Sequence, residues 1–426
     1  MATMPGPPRH VHLLSMHTSP LAQPGVGDAG GMNVYVAHLA AELAAGGIPV
    51  TLWAARLSET DPPRRRLADR LEVRHVTLPG LADPDKNQLR HHVGAFADAI
   101  VAGAGDGSGQ VVHAHYWLSA VAGAAVADRL GVPLVTSLHT SALVKNLHAS
   151  VGETPEPDFR IAGERYVVGA SDALVVNTPT EARQLHELYR APVESLHVIT
   201  PGIDPHIHHP AREDPRDAVD AAAAADARVE ILMAARLQPL KGPELLIEAI
   251  RLLAPDRLPV HLTIVGDGDP DYLAHLRRLV ARYALDASIS IVPAVPGPLL
   301  ADRMRAADIV AVPSSSETFG LVALEAQACA TPVVASRIDG LTDAVRDRRT
   351  GVLVADRTPR AWADALRALV LDPARRRALG RAGAVRAAGM TWAVTAERIA
   401  TVYASVLRHG HHAAVPVSTA DVPACC

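Results

Sequence analysis

Cysteine, lysine, aromatic residues and long apolar runs are all scarce in this chain of 426 residues, and each shortage excludes something. The three cysteines, Cys329, Cys425 and Cys426, offer no disulfide framework and no zinc-ligand spacing, so a reducing, cytoplasmic location is the expectation. No apolar run reaches the roughly 18 residues of a membrane span, and no opening segment joins a charged region to an apolar stretch, so a membrane is not an expected partner. The net charge is −4 with acids and bases interspersed. A nucleic-acid partner would call for a concentrated basic face, and none is visible. Aromatics make up only 3% of the chain, but 49% of it is hydrophobic, so Ala, Val and Leu can pack the cores of two ordinary domains.

The shortage of lysine is the most useful of these. Lys86, Lys145 and Lys241 are the only three, and the remaining 38 basic side chains are arginines. A chain this biased toward arginine keeps lysine by chance on the surface, or where a planar fork cannot replace a compact ammonium. All three lysines lie in or beside the motif segments described below.

Two halves begin alike, with an apolar strand, a loop and an amphipathic helix. The first is His10-Val-His-Leu-Leu-Ser15, a loop through Gly30-Gly31, and a helix over 34–45. The second is Val229-Glu-Ile-Leu-Met-Ala234, a loop through Arg236 and Lys241, and a helix over 244–253. Short buried strands are expected at 50–54, 111–115, 134–137 and 173–177, then at 260–265, 289–292, 309–313, 332–335 and 351–354. Strand–helix alternation of this kind predicts parallel sheets covered by helices on both faces. The fold class is α/β, with two doubly wound, Rossmann-like domains that bind ligands at the carboxyl ends of their strands. Loss of periodicity and a cluster of Pro, Gly, His and Asp over 201–215 put the boundary there. The expected domains are 1–208 and 209–390, then a helix over 391–408 packing back on the first domain, then a disordered tail over 409–426. Residues 218–227 are alanine-rich and read equally as helix or linker. The histidines at 206, 208 and 209 read as solvated loop, and those at 409, 411 and 412 are a weak metal signal.

The carboxyl half carries Ser314-Ser-Ser-Glu317-Thr-Phe-Gly320-Leu-Val-Ala-Leu-Glu325. Gly320 stands where a loop enters an apolar helix, whose free N–H groups and positive dipole end suit a diphosphate. A carboxylate accepts hydrogen bonds without donating, so Glu325 can take ribose hydroxyls and Glu317 hydroxyls of a sugar. Taken alone, two such carboxylates are an ordinary polar face; the serine-rich strand end and the glycine turn argue otherwise. Arg236 and Lys241, after the second half's first strand, can neutralise a leaving diphosphate.

On these residues the chain resembles, over nearly its whole length, the retaining glycosyltransferases of family 4. The resemblance implies the GT-B fold, with two domains facing a cleft. It implies that Arg236 and Lys241 contact the diphosphate, that Glu317 contacts the sugar and Glu325 the ribose, and that Phe319, Gly320 and Leu321 offer backbone donors. Gln23, Pro24, Gly31 and Val295 would also face the donor. His139 would lie near the transferred sugar, with Arg236, Lys241 and Glu317 completing the catalytic set.

The amino half narrows the match. His17-Thr-Ser-Pro-Leu-Ala-Gln23-Pro24, Gly27-Asp28-Ala-Gly-Gly31-Met-Asn33, Asp85-Lys86, His113-Ala-His-Tyr116, Leu138-His139-Thr140, Val144-Lys-Asn146 and Pro155-Glu-Pro-Asp-Phe-Arg160 follow in order. Together they resemble the members of the family that glycosylate an inositol phosphate at the start of mycothiol biosynthesis. In those enzymes the positions of Lys86, Tyr116, Thr140 and Arg160 hold the phosphate, and two cations with two hydroxyls suit a phosphomonoester. His17, Asp28, Ala29, Gly30, Gly31, Met32 and Asn33 would line the cyclitol. The implied substrates are UDP-N-acetylglucosamine (UDP-GlcNAc) and an inositol phosphate, and a homodimer is implied as well. No carboxylate in these motifs is a convincing nucleophile, so front-face attack is the expected mechanism. No cofactor is needed for the chemistry. The resemblance implies a magnesium ion at Met304, Arg305, Ala307 and Thr331. Transfer to an aminocyclitol, transfer to a sugar phosphate, and a sugar-phosphate-binding regulator without turnover are the rival readings.

Three positions depart from the family pattern. Ala234-Ala235 stands where a glycine is usual, Asp339-Gly340 replaces a glycine pair, and Pro205-His-Ile-His208 replaces an apolar-aromatic hinge.

Overall fold

The computed structural model describes residues 6–23, 25, 29–81, 86–148, 154–211 and 228–411, with the side chains of Lys86 and Asn87 excepted. The chain divides into two compact units. Unit 1 comprises Met1–Ala22, Gly31–Thr200 and Trp392–Cys426, and unit 2 comprises Gln23–Gly30 and Pro201–Thr391.

Unit 1 is built on eight strands: β1 (His10–Leu14), β2 (Val50–Ala55), β3 (Arg64–Ala68), β4 (Leu71–Val76), β5 (Gln110–His115), β6 (Leu134–Ser137), β7 (Ala173–Val176) and β8 (Leu196–Val198). Their order in the sheet is β3-β4-β2-β1-β5-β6-β7-β8, and only β3 runs antiparallel to its neighbour. β2, β5, β6 and β7 are buried at every residue, as expected where helices cover both faces of a parallel sheet. The β3–β4 hairpin and β8 were not anticipated. β3 reads Arg-Arg-Arg-Leu-Ala and is exposed throughout, so it has no hydrophobic signature. It is held by pairing with β4 and by the Arg64–Glu72 ion pair at 2.6 Å. Arginines on an edge strand also discourage further strand addition.

Helix Trp392–His409 belongs to unit 1, where it packs on helix Gly31–Ala45. Trp392 lies flat on His38 at 5.3 Å and edge-on to Tyr35. The order expected to end at 409 continues to His411, whose imidazole bridges Asp128 at 2.8 Å and Asp172 at 3.0 Å. Burial opposes its charge, but the two carboxylates win and raise its pKa. The tail from 412 and the alanine-rich stretch over 218–227 lie outside the described residues.

Unit 2 holds six parallel strands: β9 (Val229–Ala234), β10 (Val260–Val265), β11 (Ile289–Val292), β12 (Ile309–Val312), β13 (Val333–Ser336) and β14 (Gly351–Val354), ordered β11-β10-β9-β12-β13-β14. Helices Pro243–Leu253 and Pro359–Val370 cover one part of it, burying Leu246, Ile247, Ile250, Trp362 and Leu366. Helix Leu321–Ala328 packs on helix Pro373–Ala387. Gly383 there faces Gln327 so closely that a Cβ would fall 3.0 Å from its Cγ.

The division differs from the expected boundaries in two ways. The chain passes from unit 1 to unit 2 at Thr200–Pro201 rather than after 208, and Gln23–Gly30 groups with unit 2. In the latter segment, a Cβ on Gly25 would be 3.2 Å from that of Ala294, and one on Gly30 would be 3.7 Å from Arg236 Nε.

Candidate functional site

Each sheet has one point where the chain leaves a strand toward opposite sides: between β1 and β5 in unit 1, and between β9 and β12 in unit 2. The carboxyl ends of strands at such a point form the ligand crevice of doubly wound sheets.

In unit 1, Tyr116 follows β5 directly, and Leu138-His139-Thr140 follows β6. Tyr116 (φ 76°) and His139 (φ 60°) both carry left-handed backbone, which is uncommon for residues with a Cβ and recurs at functional sites. His17, beyond β1, lies against Tyr116 with ring centroids 4.3 Å apart. Arg160, on helix Asp158–Ala170, is 3% exposed. Its Nη2 donates to Thr140 Oγ1 at 2.7 Å, and its Cζ lies 5.1 Å from the Tyr116 ring centroid. Three of the four expected phosphate-binding residues therefore meet. The fourth, the Lys86 side chain, lies outside the described part, as do Pro24 and Asp28.

Arg160 is held from behind by carboxylates. Its Nε donates to Glu164 Oε1 at 2.8 Å and its Nη1 to Glu156 Oε2 at 2.7 Å. Glu156 also takes Lys145 Nζ at 2.8 Å, and Glu164 also accepts from the Ala142 N–H at 2.9 Å and the Tyr189 hydroxyl. Burial works against the guanidinium's charge, but Tyr116, Glu164 and Glu156 outweigh it and raise its pKa. A guanidinium carries five N–H groups. These contacts use one on each nitrogen, so among the described residues each terminal nitrogen keeps one for a further acceptor.

Asn33 is 1% exposed, and its amide donates to Thr18 Oγ1 and the Ser19 carbonyl, both at 2.8 Å. It ties the start of helix Gly31–Ala45 to the His17 loop. Gly31 and Met32 open that helix in unit 1, whereas Ala29 and Gly30 group with unit 2, so the expected cyclitol-lining string is divided between the units.

In unit 2 the β9 and β12 ends are stitched together. Ser315 N–H donates to the Leu240 carbonyl at 2.8 Å, and Gly242 (φ 73°) leaves no room for a Cβ, which would lie 2.7 Å from the Pro313 oxygen. This closeness brings Lys241 Nζ to 2.5 Å from Glu317 Oε1, which also accepts from Ser314 Oγ at 3.0 Å. The cation expected on the diphosphate and the carboxylate expected on the sugar thus pair with each other. Gly320 (φ 96°) caps helix Leu321–Ala328, and a Cβ on it would fall 2.5 Å from Leu341 Cδ2. The helix's first N–H groups, at Leu321 and Val322, have no intrahelical partner, and a helix start of this kind suits an anion. Phe319 is 4% exposed beneath them. Glu325 lies further along the helix, where burial raises its pKa and His208 opposes the rise. Val295 packs partly buried against the same core.

Comparison with known proteins decides the family. Residues 30–202 match the model of a glycosyl transferase 4-like domain, and residues 217–386 match that of glycosyl transferases group 1. A D-inositol 3-phosphate glycosyltransferase of Jonesia denitrificans is 44% identical over 415 residues, covering 94% of this chain and 97% of that one. One from Kineococcus radiotolerans is 45% identical over 413 residues, with 93% and 95% covered. The chain belongs to the D-inositol 3-phosphate glycosyltransferase family. Among solved structures, a sucrose-phosphate synthase of Thermosynechococcus elongatus superposes with a TM-score of 0.85 at 27% identity, covering 94% of this chain and all of that one. The fold is GT-B, and the chain is a hexosyltransferase.

The departures from the family pattern have local explanations. Asp339 occupies a left-handed position (φ 34°), which explains the usual glycine, and aspartate is among the few residues that tolerate it. The following Gly340 is retained where a Cβ would lie 1.9 Å from the Thr318 oxygen. Neither Ala234 nor Ala235 is left-handed, so alanine strains nothing in the backbone there. In the replaced hinge, Asp204 accepts from the His208 N–H at 2.8 Å, and Arg305 donates to the Ile207 carbonyl at 2.8 Å.

For magnesium, the Thr331 hydroxyl donates to the Met304 carbonyl at 2.6 Å, so two of the four expected ligand oxygens already adjoin at the end of helix Gly297–Ala306. Neutral oxygens of this kind fit a hard cation.

Sequence reasoning gave Glu156, Glu164, Lys145, Tyr189 and His115 no site role. Four of them stand within or beside the quoted strings, but nothing in their spacing says that Glu156 and Glu164 hold Arg160, that Lys145 pairs with Glu156 or that His115 meets His139.

Proposed function

We propose that this chain transfers N-acetylglucosamine from UDP-GlcNAc to 1D-myo-inositol 3-phosphate with retention of anomeric configuration, the first step of mycothiol biosynthesis. The observation that carries the acceptor is the Arg160 guanidinium. It is buried, held charged by two carboxylates, hydrogen-bonded to Thr140, and keeps one N–H on each terminal nitrogen. Two adjacent donors on a fixed planar fork match a phosphate bidentately. An unphosphorylated aminocyclitol would offer those two N–H groups no phosphate oxygen as acceptor.

On the donor side, the N–H groups at the start of helix Leu321–Ala328 take the diphosphate. Lys241 leaves Glu317 to neutralise the phosphate as its bond to the sugar breaks, and the freed Glu317 accepts sugar hydroxyls. Glu325 accepts the ribose hydroxyls, and Arg236 and Gly30 adjoin in the same unit. With no carboxylate nucleophile among the unit 1 motifs, the acceptor attacks from the face the diphosphate leaves, and a phosphate oxygen takes its proton. The chemistry needs no metal. A magnesium ion on the Met304, Arg305 and Ala307 carbonyls and the Thr331 hydroxyl would be held by neutral oxygens and would stiffen the end of its helix.

The test offers UDP-GlcNAc with inositol 3-phosphate, inositol, an aminocyclitol and a hexose phosphate in parallel. Transfer is expected only to phosphorylated acceptors, with inositol 3-phosphate preferred. Equal turnover of inositol would remove the phosphate from the proposal, and preference for the hexose phosphate would move the chain toward a sugar-phosphate acceptor. Isolation of a covalent glycosyl-enzyme would refute front-face attack. Sedimentation of the pure protein tests the homodimer, which we propose from the family resemblance alone; the cytoplasmic location is proposed from the cysteine usage.

A further inference from the structure

The two histidines of His113-Ala-His115 point to the same face of β5, because side chains two apart on a strand share a face. Their rings lie 4.3 Å apart. His113 is fully partnered, by the Tyr403 hydroxyl at 2.7 Å and Ser137 Oγ at 3.0 Å. His115 is not. Its Nδ1 is hydrogen-bonded to His139 Nε2 at 2.8 Å, and its Nε2 is buried with no partner among the described residues.

A buried polar atom without a partner costs stability, so an imidazole placed only to fill space would be a poor choice beside a phenyl ring. What the imidazole supplies and a phenyl ring cannot is the bond from Nδ1. That bond goes to a residue in left-handed backbone at the end of β6, stacked on His115 with centroids 5.1 Å apart and met edge-on by Tyr35 at 5.0 Å. Burial keeps His115 and His139 neutral, and His17 lowers the His139 pKa further, to about 3. The contact is therefore a hydrogen bond between uncharged rings.

We infer that His115 is a positioning residue that fixes the orientation of the His139 ring through its Nδ1 atom. The inference rests on the reading that His139 meets the transferred sugar.

Three variants separate this role from packing. His115→Asn places an amide atom where Nδ1 stood, His115→Gln places one where the unpartnered Nε2 stood, and His115→Phe keeps a ring without polar atoms. Asn is expected to retain most of kcat. Gln and Phe are expected to lose about tenfold or more, the worth of a buried hydrogen bond, with KM for the acceptor nearly unchanged. A purely structural role predicts the reverse order, with Phe best and Asn worst by both kcat and thermal unfolding, and that result would overturn the proposal. A second measurement does not depend on turnover. The imidazole 15N resonances of His139 in the unliganded protein should shift in His115→Phe and stay close to wild type in His115→Asn. Unchanged His139 resonances in the Phe variant would also overturn it. Absence of any transfer with the proposed substrates would count against the proposed reaction alone, because the ring spectra are read without substrate.

Discussion

The proposed function asks each unit to bind an anion, and the two units are built differently for it. Unit 2 presents close-packed backbone: glycines at 242, 320 and 340 stand where a Cβ would collide, and they let strand ends, loops and a helix start approach closely. Unit 1 presents side chains. Its cradle is a buried arginine clamped by Glu156 and Glu164, and the residues around it, Tyr116 and His139, hold left-handed backbone without being glycine. A diphosphate is common to many donors, and on the proposed function a helix start with Lys241 and Arg236 beside it serves all of them. An acceptor must be told from its relatives, which requires fixed side chains and a network that holds them. On the proposed function, specificity therefore depends on buried charge, and donor binding on close-packed backbone with Lys241 beside it.

If so, substitutions in unit 1 should damage fold and activity together, whereas those in unit 2 should separate the two. The largest effect is expected from Arg160→Met, which leaves the buried Glu164 without its cation and Glu156 with Lys145 alone. Removing one partner of a buried ion pair costs about 3–5 kcal/mol. Denaturant unfolding should show that loss, and transfer should fall below detection. Glu164→Gln should be milder, because the amide still accepts from Ala142 and Tyr189. A stable Arg160→Met protein that merely binds acceptor less tightly would break the contrast.

Lys241→Ala is the counterpart in unit 2. Lys241 and Glu317 are each about one-fifth exposed, whereas the side chains of Arg160 and Glu164 are 4% and 0% exposed, so loss of the Lys241 pair should cost less than loss of Arg160. The expected change lies between that of a surface pair and that of a buried one, about 1–2 kcal/mol. Loss of a cation opposite developing phosphate charge is worth about 10²- to 10³-fold in kcat. Single-turnover assays and thermal melts on the same sample should show that separation.

This division also governs what the sequence reveals. The main stretch of the proposed donor site is contiguous, running from Glu317 to Glu325, so glycine, carboxylates and apolar helix can be read as one device. The alternation that predicts the parallel strands is equally local, and every expected strand is present to within a residue or two. The acceptor cradle draws on Tyr116, Thr140 and Arg160 from three separate segments, and only resemblance to a family collects them. The clamp behind Arg160 is less legible still. Glu164 looks like one polar residue of an amphipathic helix, and Tyr189, which donates to it, is 25 positions away. The β3–β4 hairpin escapes notice because its stability comes from pairing, and its arginines face solvent. The grouping of Gln23–Gly30 with unit 2 has no local signal at all, because it rests on contacts with Ala294 and Arg236.

Acidification should separate the units too. His113 and His139 titrate near 3 in the folded protein, and His115 titrates well below its usual 6.5, chiefly through burial. Unfolded, they take up protons near 6.5, so their neutral burial stabilises unit 1 above that pH and is lost progressively as pH falls from 6.5 toward 3. The fully buried His113 and His115 together give a slope of up to about 3 kcal/mol per pH unit. Among the buried histidine rings of unit 2, His261 shows a downward shift of its own. Trp53, Trp117 and Trp392 report on unit 1 and Trp362 on unit 2. Fluorescence unfolding of Trp362→Phe at pH 7.5 and 5.5 should therefore show a marked loss. A protein retaining Trp362 alone should show a smaller one.

The smallest effect, and the finest test of the backbone argument, is expected at Asp339. Its left-handed φ costs an aspartate energy that a glycine would not spend. Glycine also widens the unfolded ensemble, which takes back part of the gain. Asp339→Gly should thus stabilise unit 2 by about 0.5 kcal/mol. Its consequence for binding should be larger in proportion. The Gly340 N–H beside it donates to the Glu317 carbonyl at 3.0 Å, so the Asp339 carboxylate carries negative charge into the loop that borders the diphosphate site. Removing it should tighten UDP by about two- to fivefold, more at low salt than at high salt. Weaker UDP binding in the glycine variant would mean that the carboxylate orders the loop. Unit 2 would then depend on a side chain in the way unit 1 depends on Glu164.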